Sequence, residues 1–279
     1  MSKAALQPSF EETGAPLSVL VDFDGTISWH DVGDALLARF VADQDEVRHM
    51  DQLYLDHVKG SRELIVWDME VLPREPTVLM EAVDAIPLDE TVADLVRVVR
   101  NAGGAVEIVS DGVGFHVERM LAGLGLSDLP IATNATALGA GGDGVTFPYG
   151  HPACLVCGTC KRERVRLHQE AGRAVVFVGD GPSDRYAAHH ADINFAKAAL
   201  ASWCDAAGIP YEPWLRLADV ADWIEKALTD GRLPVDQQVF GVWAARARPA
   251  LETFICGPEV WGEGRTTAPP GAFVHHSLR

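Results

Sequence analysis

Two carboxylates close the run Val19-Leu20-Val21-Asp22-Phe23-Asp24-Gly25-Thr26. The apolar start predicts a buried parallel strand, and the glycine after the second acid predicts a turn. If the chain stays extended through Asp24, both carboxylates point to one side, about 7 Å apart along the backbone. Like charges that close repel unless a cation or a shared proton relieves them. A divalent metal is the simplest relief. A hard cation such as Mg²⁺ combines a few carboxylate oxygens with substrate phosphate, so the pair points to phosphoryl transfer. An isolated Asp-x-Asp is more readily a strand-to-loop turn with solvated acids. Three further fragments shift the balance.

The first is Ser110-Asp111-Gly112, which ends the expected strand Ala105–Val109 and leads into an expected helix over 113–121. A serine hydroxyl and backbone N–H groups near a helix N-terminus suit phosphate oxygens, although Ser-Asp-Gly is also an ordinary turn with a helix cap. The second is the basic helix Lys161-Arg162-Glu163-Arg164-Val165-Arg166-Leu167, where the local charge changes sign. The third follows the most evident buried strand, Ala174-Val175-Val176-Phe177-Val178, which empties into Gly179-Asp180-Gly181-Pro182-Ser183-Asp184. Carboxylates again sit at a strand's C-terminal end, where open α/β sheets bind ligands. Asp180 completes a metal site with Asp22 and Asp24, and Asp184 orients it from a second position while also starting a helix as its N-cap.

The elements that must position these groups read as α/β. Residues 30–86 are mostly helical, with helical apolar spacing over 32–40 and 64–69 and no strand pattern, and Pro73, Pro76 and Pro87 punctuate their end. An amphipathic helix, Thr91–Arg100, stops at Asn101-Ala102-Gly103-Gly104. Residues 127–152 read as irregular with a short strand over 144–147, and a strand over 192–196 leads to Lys197. The expected fold is a Rossmann-like parallel sheet with flanking helices and a small helical cap inserted after the first strand.

Composition bounds the partners. Across 279 residues, 23 Lys+Arg against 40 Asp+Glu give a formal charge of −17, which disfavours nucleic acid and anionic membrane. Residues 1–16 are a polar leader without the apolar core of a signal peptide, and no run approaches a membrane span, so the expected location is the cytoplasm. Three of the 5 cysteines fall within seven residues, which points to metal or redox chemistry rather than a secreted disulfide framework.

The four fragments together resemble the signature of the haloacid dehalogenase superfamily, and specifically its phosphatases. The resemblance covers residues 17 to about 227 and implies a core over 17–29 and 88–232, a helical cap over 30–87 and an extension of unknown role over 233–279. It implies that Asp22 is the nucleophile and that Asp24 is the general acid and base. Ser110, Gly112 and Lys161 would bind phosphate oxygens. Asp22, the Asp24 carbonyl, Asp180 and Asp184 would form the Mg²⁺ site. The cap and the segment Gly60-Ser61-Arg62-Glu63 are similar to the phosphoserine phosphatase-like branch. That branch carries a Glu where this chain has Asp31; Asp31 and Arg62 are the candidate cap contacts to substrate, with helix capping and surface ion pairing as the plainer alternative.

The cysteine run is open to several readings. His151, Cys154, Cys157 and Cys160 offer a Cys3His set for structural Zn²⁺, Cys157-Gly158-Thr159-Cys160 is similar to a redox pair, and reduced thiols in a loop remain a third reading. The stretch from Phe147-Pro148 to Cys160-Lys161 resembles the methionine-salvage phosphatases that act on 2-hydroxy-3-keto-5-methylthiopentenyl-1-phosphate. The expected function is therefore Mg²⁺-dependent hydrolysis of a small phosphorylated metabolite through an aspartyl-phosphate. A phosphomutase or phosphotransferase, or a non-catalytic zinc or redox regulator, are the alternatives. His30 and His116 read as helix surface or site edge, and Trp67, Trp203, Trp214 and Trp223 as core. Phe240, Trp243, Phe254 and Trp261 cover either a second subunit, making a homodimer, or the chain's own core.

Overall fold

The computed structural model describes residues 15–56, 58–139, 144–151 and 156–243. Strand β1 (Leu17–Val21) is buried at every residue, which a continuous apolar run achieves only where both faces of the sheet are covered. The other strands are β2 (Ala105–Val113), β3 (Ile131–Thr136), β4 (Val145–Thr146), β5 (Ala174–Gly179), β6 (Ile193–Ala196) and β7 (Glu212–Pro213). They form one sheet in the order β4-β3-β2-β1-β5-β6-β7. All neighbours are parallel except β4, which runs antiparallel to β3.

Alternation along β1 separates the two faces. Leu17, Val19 and Val21 join a large core with α5 (Val92–Asn101) and α10 (Leu217–Thr229). Leu20 joins a smaller one with Val165 of α7 (Lys161–Glu170) and Ala187 of α8 (Arg185–His190). In α10 the buried residues Leu217, Val220, Ala221, Ile224 and Ala227 keep helical spacing, so a single stripe meets the sheet. The remaining helices of the core are α6 (Gly114–Gly123) and α9 (Ala198–Ala207), with α11 (Gln237–Trp243) at the end of the described chain.

Between β1 and α5 lie four helices, α1 (Val32–Phe40), α2 (Gln44–Leu55), α3 (Ser61–Val71) and α4 (Pro76–Val83). A bridge between Ser28 and Leu88 holds the two ends of this excursion side by side.

Three details depart from the sequence expectation. β2 continues to Val113 across an irregular pairing between Val109 and Val113, so Ser110, Asp111 and Gly112 lie in a distorted strand rather than beyond its end, and α6 begins at Gly114. β3 occupies part of a stretch expected to be irregular; its polar Thr133, Asn134 and Thr136 hide a strand that is held on both sides by β2 and β4. Phe240 and Trp243 pack on the chain's own core, and the Trp243 indole N–H donates to the Arg232 carbonyl at 3.2 Å. Phe254 and Trp261 lie outside the described residues.

Trp243→Ala should therefore destabilise the isolated chain by about 3 kcal/mol, the low end of the range for truncating a buried aromatic. Urea denaturation at two protein concentrations checks it, the same loss being expected at both.

Candidate active site

Register brings the first two acids together. Val21 pairs with Ile108 on one side and Val178 on the other, and the Asp22 N–H donates to the Val178 carbonyl at 2.9 Å. β1 and β5 thus end level. The chain visits β2 and β3 on one side of β1 before returning to β5 on the other, so these two ends flank the crevice where open α/β sheets bind ligands.

Into this crevice the N-terminus of α7 delivers Lys161. Its Nζ is 2.6 Å from Asp22 Oδ1, 2.6 Å from Asp184 Oδ1 and 2.9 Å from Ser183 Oγ. All three charged groups are buried, Lys161 and Asp22 at 3% exposure and Asp184 at 0%. Burial works against the ammonium, but Asp184 and Asp22 outweigh it and hold its pKa above the usual lysine value. Burial, and then the Asp184 charge, push the Asp22 carboxyl well up. The second Asp184 oxygen accepts the Asp180 and Gly181 N–H groups, each at 3.0 Å, which fixes the loop after β5.

The turn after β1 sets Asp24. Gly25 takes φ +75°, and a side chain there would run into the Asp180 carboxylate, so glycine is required both by conformation and by space. Asp24 Oδ1 accepts the Val32 N–H at 3.0 Å. Asp24 Oδ2 accepts the Ser110 hydroxyl at 3.3 Å, and Ser110 Oγ in turn accepts the Gly112 N–H at 2.9 Å. His116 is buried, with Nε2 3.7 Å from Asp24 Oδ1. Burial alone would raise the Asp24 carboxyl; the His116 imidazole and the Val32 N–H outweigh it and hold it below the usual range.

Asp22, Asp180 and Asp184 each offer an oxygen, all within 4.8 Å of one another, and they are the one such cluster of potential metal ligands among the described residues. Burial and the Asp184 charge push Asp180 up to about 6, while the Thr26 hydroxyl donates to its Oδ1 at 3.0 Å. Three carboxylates against one ammonium leave excess negative charge in a buried pocket. An all-oxygen set of this kind fits a hard divalent cation such as Mg²⁺.

A cavity of about 700 Å³ opens from these groups and runs under α1 and α3. Lys161 and Lys197 stand at its catalytic end, and Lys197 lies 3.7 Å over the Trp214 ring. Asp31, Asp34, Asp51 and Asp68 line the wall contributed by α1 to α3. Burial raises all four, and mutual repulsion adds to it for Asp31, Asp34 and Asp68, the last reaching about 7.

The structure brings together Asp22, Asp24, Ser110, Gly112, Lys161, Asp180 and Asp184. Asp31 caps α1, accepting the Asp34 N–H at 3.0 Å, and also faces the cavity. Arg62 does not line the cavity; its Nε donates to the Cys157 carbonyl at 2.6 Å. His151, Cys157 and Cys160 form no metal-ligand cluster among the described residues; Cys160 is buried as the N-cap of α7, and the Cys157 carbonyl is bound to Arg62 of α3. Structural zinc is thus unsupported, and Cys154 lies outside the described residues. No disulfide joins Cys157 to Cys160.

Sequence reasoning assigned no site role to Thr26, Asp111 or Lys197 and left His116 undecided. His116 lies six residues after Ser110 on the buried side of α6, a spacing that could have flagged it.

The profile of the "Putative Phosphatase" family matches residues 17–201. The chain belongs to that family. It is similar to the 2-hydroxy-3-keto-5-methylthiopentenyl-1-phosphate phosphatase of Exiguobacterium sibiricum, 26% identical over 215 residues that cover 75% of this chain and 96% of the relative. The protein of the same name from Brevibacillus brevis is 26% identical over 210 residues, covering 73% and 93%. In fold it is similar to a substrate-bound phosphoserine phosphatase, with TM-score 0.57 at 19% identity over 76% of this chain and 99% of that one. The protein is thus a phosphatase, a phosphoric monoester hydrolase, with a haloacid dehalogenase-like fold.

The acidic wall of the phosphatase gives a pH test. A carboxyl raised to about 7 in the folded state binds a proton that the unfolded chain has already lost, so its contribution is fully present below about pH 4 and is lost as pH rises through 7. Asp68→Asn should stabilise the protein by about 1–2 kcal/mol at pH 8, after discounting for water in the cavity, with the gain vanishing near pH 4. Chemical denaturation across that window checks it.

Proposed function

We propose that the phosphatase is Mg²⁺-dependent, works through an aspartyl-phosphate on Asp22, and acts on 2-hydroxy-3-keto-5-methylthiopentenyl-1-phosphate or a closely related small metabolite. The observation that carries the chemistry is the Asp22 carboxylate held against the Lys161 ammonium at 2.6 Å, with Asp24 bound beside it to Ser110. The names of the similar relatives support the substrate. The helices α1 to α4 then serve as a cap over the strand ends.

Asp22, the Asp24 carbonyl and Asp180 would hold the Mg²⁺, with Asp184 supporting them; when bound, the ion supplies positive charge that lowers repulsion between the Asp22 carboxylate and the phosphate. Lys161 exchanges part of its contact with Asp22 and Asp184 for the phosphoryl oxygens, together with the Ser110 hydroxyl and Gly112 N–H. Asp22 attacks phosphorus, and the bond to the ester oxygen breaks. Asp24 gives its proton to that leaving oxygen. In the second half-reaction Asp24 takes a proton from the attacking water, phosphate departs, and Asp22 is regenerated. The low pKa of Asp24 belongs to the state without substrate; a phosphate dianion beside it raises that pKa toward the range an acid needs.

A second reading of the substrate is favoured by the four acids on the cap wall: an ester carrying an ammonium group, which would lie against Asp31, Asp34, Asp51 and Asp68 with its phosphate at Lys161.

Phosphate release should be measured with Mg²⁺ from a panel holding the methylthiopentenyl phosphate, phosphoserine, amino-alcohol phosphates, sugar phosphates and nucleotides. One preferred ester, silent with Asp22→Asn and lowered at least about 10²-fold by Asp24→Asn, is expected. Chelation should abolish turnover and Mg²⁺ restore it. Release only in the presence of an acceptor ester would replace hydrolysis by phosphoryl transfer.

A further inference from the structure

The corner where α3 begins is bound to the segment that leads into Lys161. The Arg62 backbone N–H donates to the Val156 carbonyl at 3.1 Å, and its Nε donates to the Cys157 carbonyl at 2.6 Å. The guanidinium carbon lies 5.1 Å over the Phe147 ring. Ser61 Oγ accepts the Gly158 N–H at 3.0 Å and lies 3.5 Å from the Val156 carbonyl. At Gly60 a Cβ would stand 2.7 Å from that same carbonyl, so the two backbones approach as closely as glycine alone permits. Gly150 leaves the same room on the other side, where any side chain would run into the Arg62 guanidinium.

The Thr159 N–H donates to Asp111 Oδ1 at 2.7 Å, beside Ser110, and the Cys160 N–H donates to the Tyr149 carbonyl at 3.0 Å. Cys160 is the N-cap of α7, and Lys161 is its first residue. Two residues, Thr159 and Cys160, separate the Gly158 amide held by Ser61 from the lysine whose Nζ sits between Asp22 and Asp184. Lys161 and Ser61 line the cavity; Arg62 does not.

We propose that Ser61 and Arg62 are positioning residues: they latch the inserted helices to the 156–160 segment and thereby fix where Lys161 meets the phosphoryl group. Arg62 acts through Lys161 and does not touch the substrate. The proposal rests on Lys161 binding the phosphoryl oxygens. Arginine suits the task because its planar fork bonds a carbonyl while its face lies on Phe147, a combination the lysine ammonium cannot reproduce. When the latch is broken, the segment relaxes away from α3 and Lys161 loses its setting between the two carboxylates; displacements of about 1 Å at a catalytic group can lower rates by about 10²-fold.

The test uses p-nitrophenyl phosphate, whose leaving group carries nothing for the cap to recognise, and inorganic phosphate as a competitive inhibitor, both with Mg²⁺. Arg62→Ala should lower kcat/KM for this ester at least tenfold and weaken phosphate inhibition by a similar factor. Ser61→Ala should move both in the same direction, and Arg62→Lys should not rescue either. In a Lys161→Met background Arg62→Ala should add nothing, because residues acting through one group are not additive. If residual turnover there is too slow to follow, the same cycle is read in phosphate binding. Unchanged p-nitrophenyl phosphate turnover and phosphate inhibition in Arg62→Ala, with KM raised only for the natural ester, would make Arg62 a substrate contact and overturn the latch. Additive losses with Lys161→Met would assign it to general stability and overturn it equally. A wild type that hydrolyses esters while Lys161→Met is unimpaired would remove the role of Lys161 itself, and the latch with it.

Discussion

An ammonium group buried between two carboxylates is the contact on which the rest of this phosphatase depends. Lys161, Asp22 and Asp184 come from three separate elements, and each alone would be an uncompensated charge in a dry place. Removing any one strands the others at several kcal/mol, whereas the set together roughly offsets its own desolvation. The balance is incomplete by design of the residues present, since Asp180 adds a third carboxylate. Such a surplus is poor for stability and useful for function. It gives the clustered oxygens of Asp22, Asp180 and Asp184 a charge that suits a hard divalent cation.

The backbone supplies the setting for two of these groups almost without side-chain help. β1 and β5 are adjacent, parallel and in register, so Asp22 emerges beside Gly179, one residue before Asp180, because Val21 and Val178 are paired. That part was legible in the sequence, since two apolar runs of strand length, each followed by acids and glycine, admit few other folds. Lys161 was legible as the start of a basic helix, but its depth was not, because helical charge spacing reads as a solvated face and nothing local reveals that Asp22 and Asp184 wait at the helix N-terminus.

Where sequence reasoning faltered, tertiary pairing overrode local pattern. β3 carries Thr133 and Asn134 in its middle, buried because Asn134 Nδ2 donates to the Asp111 and Gly112 carbonyls at 2.8 and 3.0 Å and Thr133 Oγ1 donates to Gly112 at 2.9 Å. Those bonds hold the distorted end of β2 and so place Ser110 against Asp24. A polar strand that braces the distorted end of its neighbour looks like a loop itself when that neighbour is unknown. The carbonyl partner of Arg62 was hidden for the converse reason. A lone arginine near a cap helix suggests an anion partner, and only the three-dimensional course of residues 156–160 reveals carbonyls in its reach.

The site is thus assembled under two regimes of precision. Asp22 is fixed by a β-sheet hydrogen bond to the Val178 carbonyl, and Asp180, just past β5, by the Asp184 carboxylate that accepts its N–H. Lys161 is fixed at the end of a segment pinned by side-chain and backbone contacts from α3, by the Tyr149 carbonyl and by Asp111. Such contacts open at a small fraction of the free energy of global unfolding. The contacts from α3 thus reach the backbone just before Lys161, whereas Asp22 follows the sheet. A phosphatase that must admit a charged ester past the four carboxylates of the cavity wall and then release phosphate has reason to divide its parts this way, because a lysine held rigidly to its carboxylates would resist both the arrival and the departure of the anion.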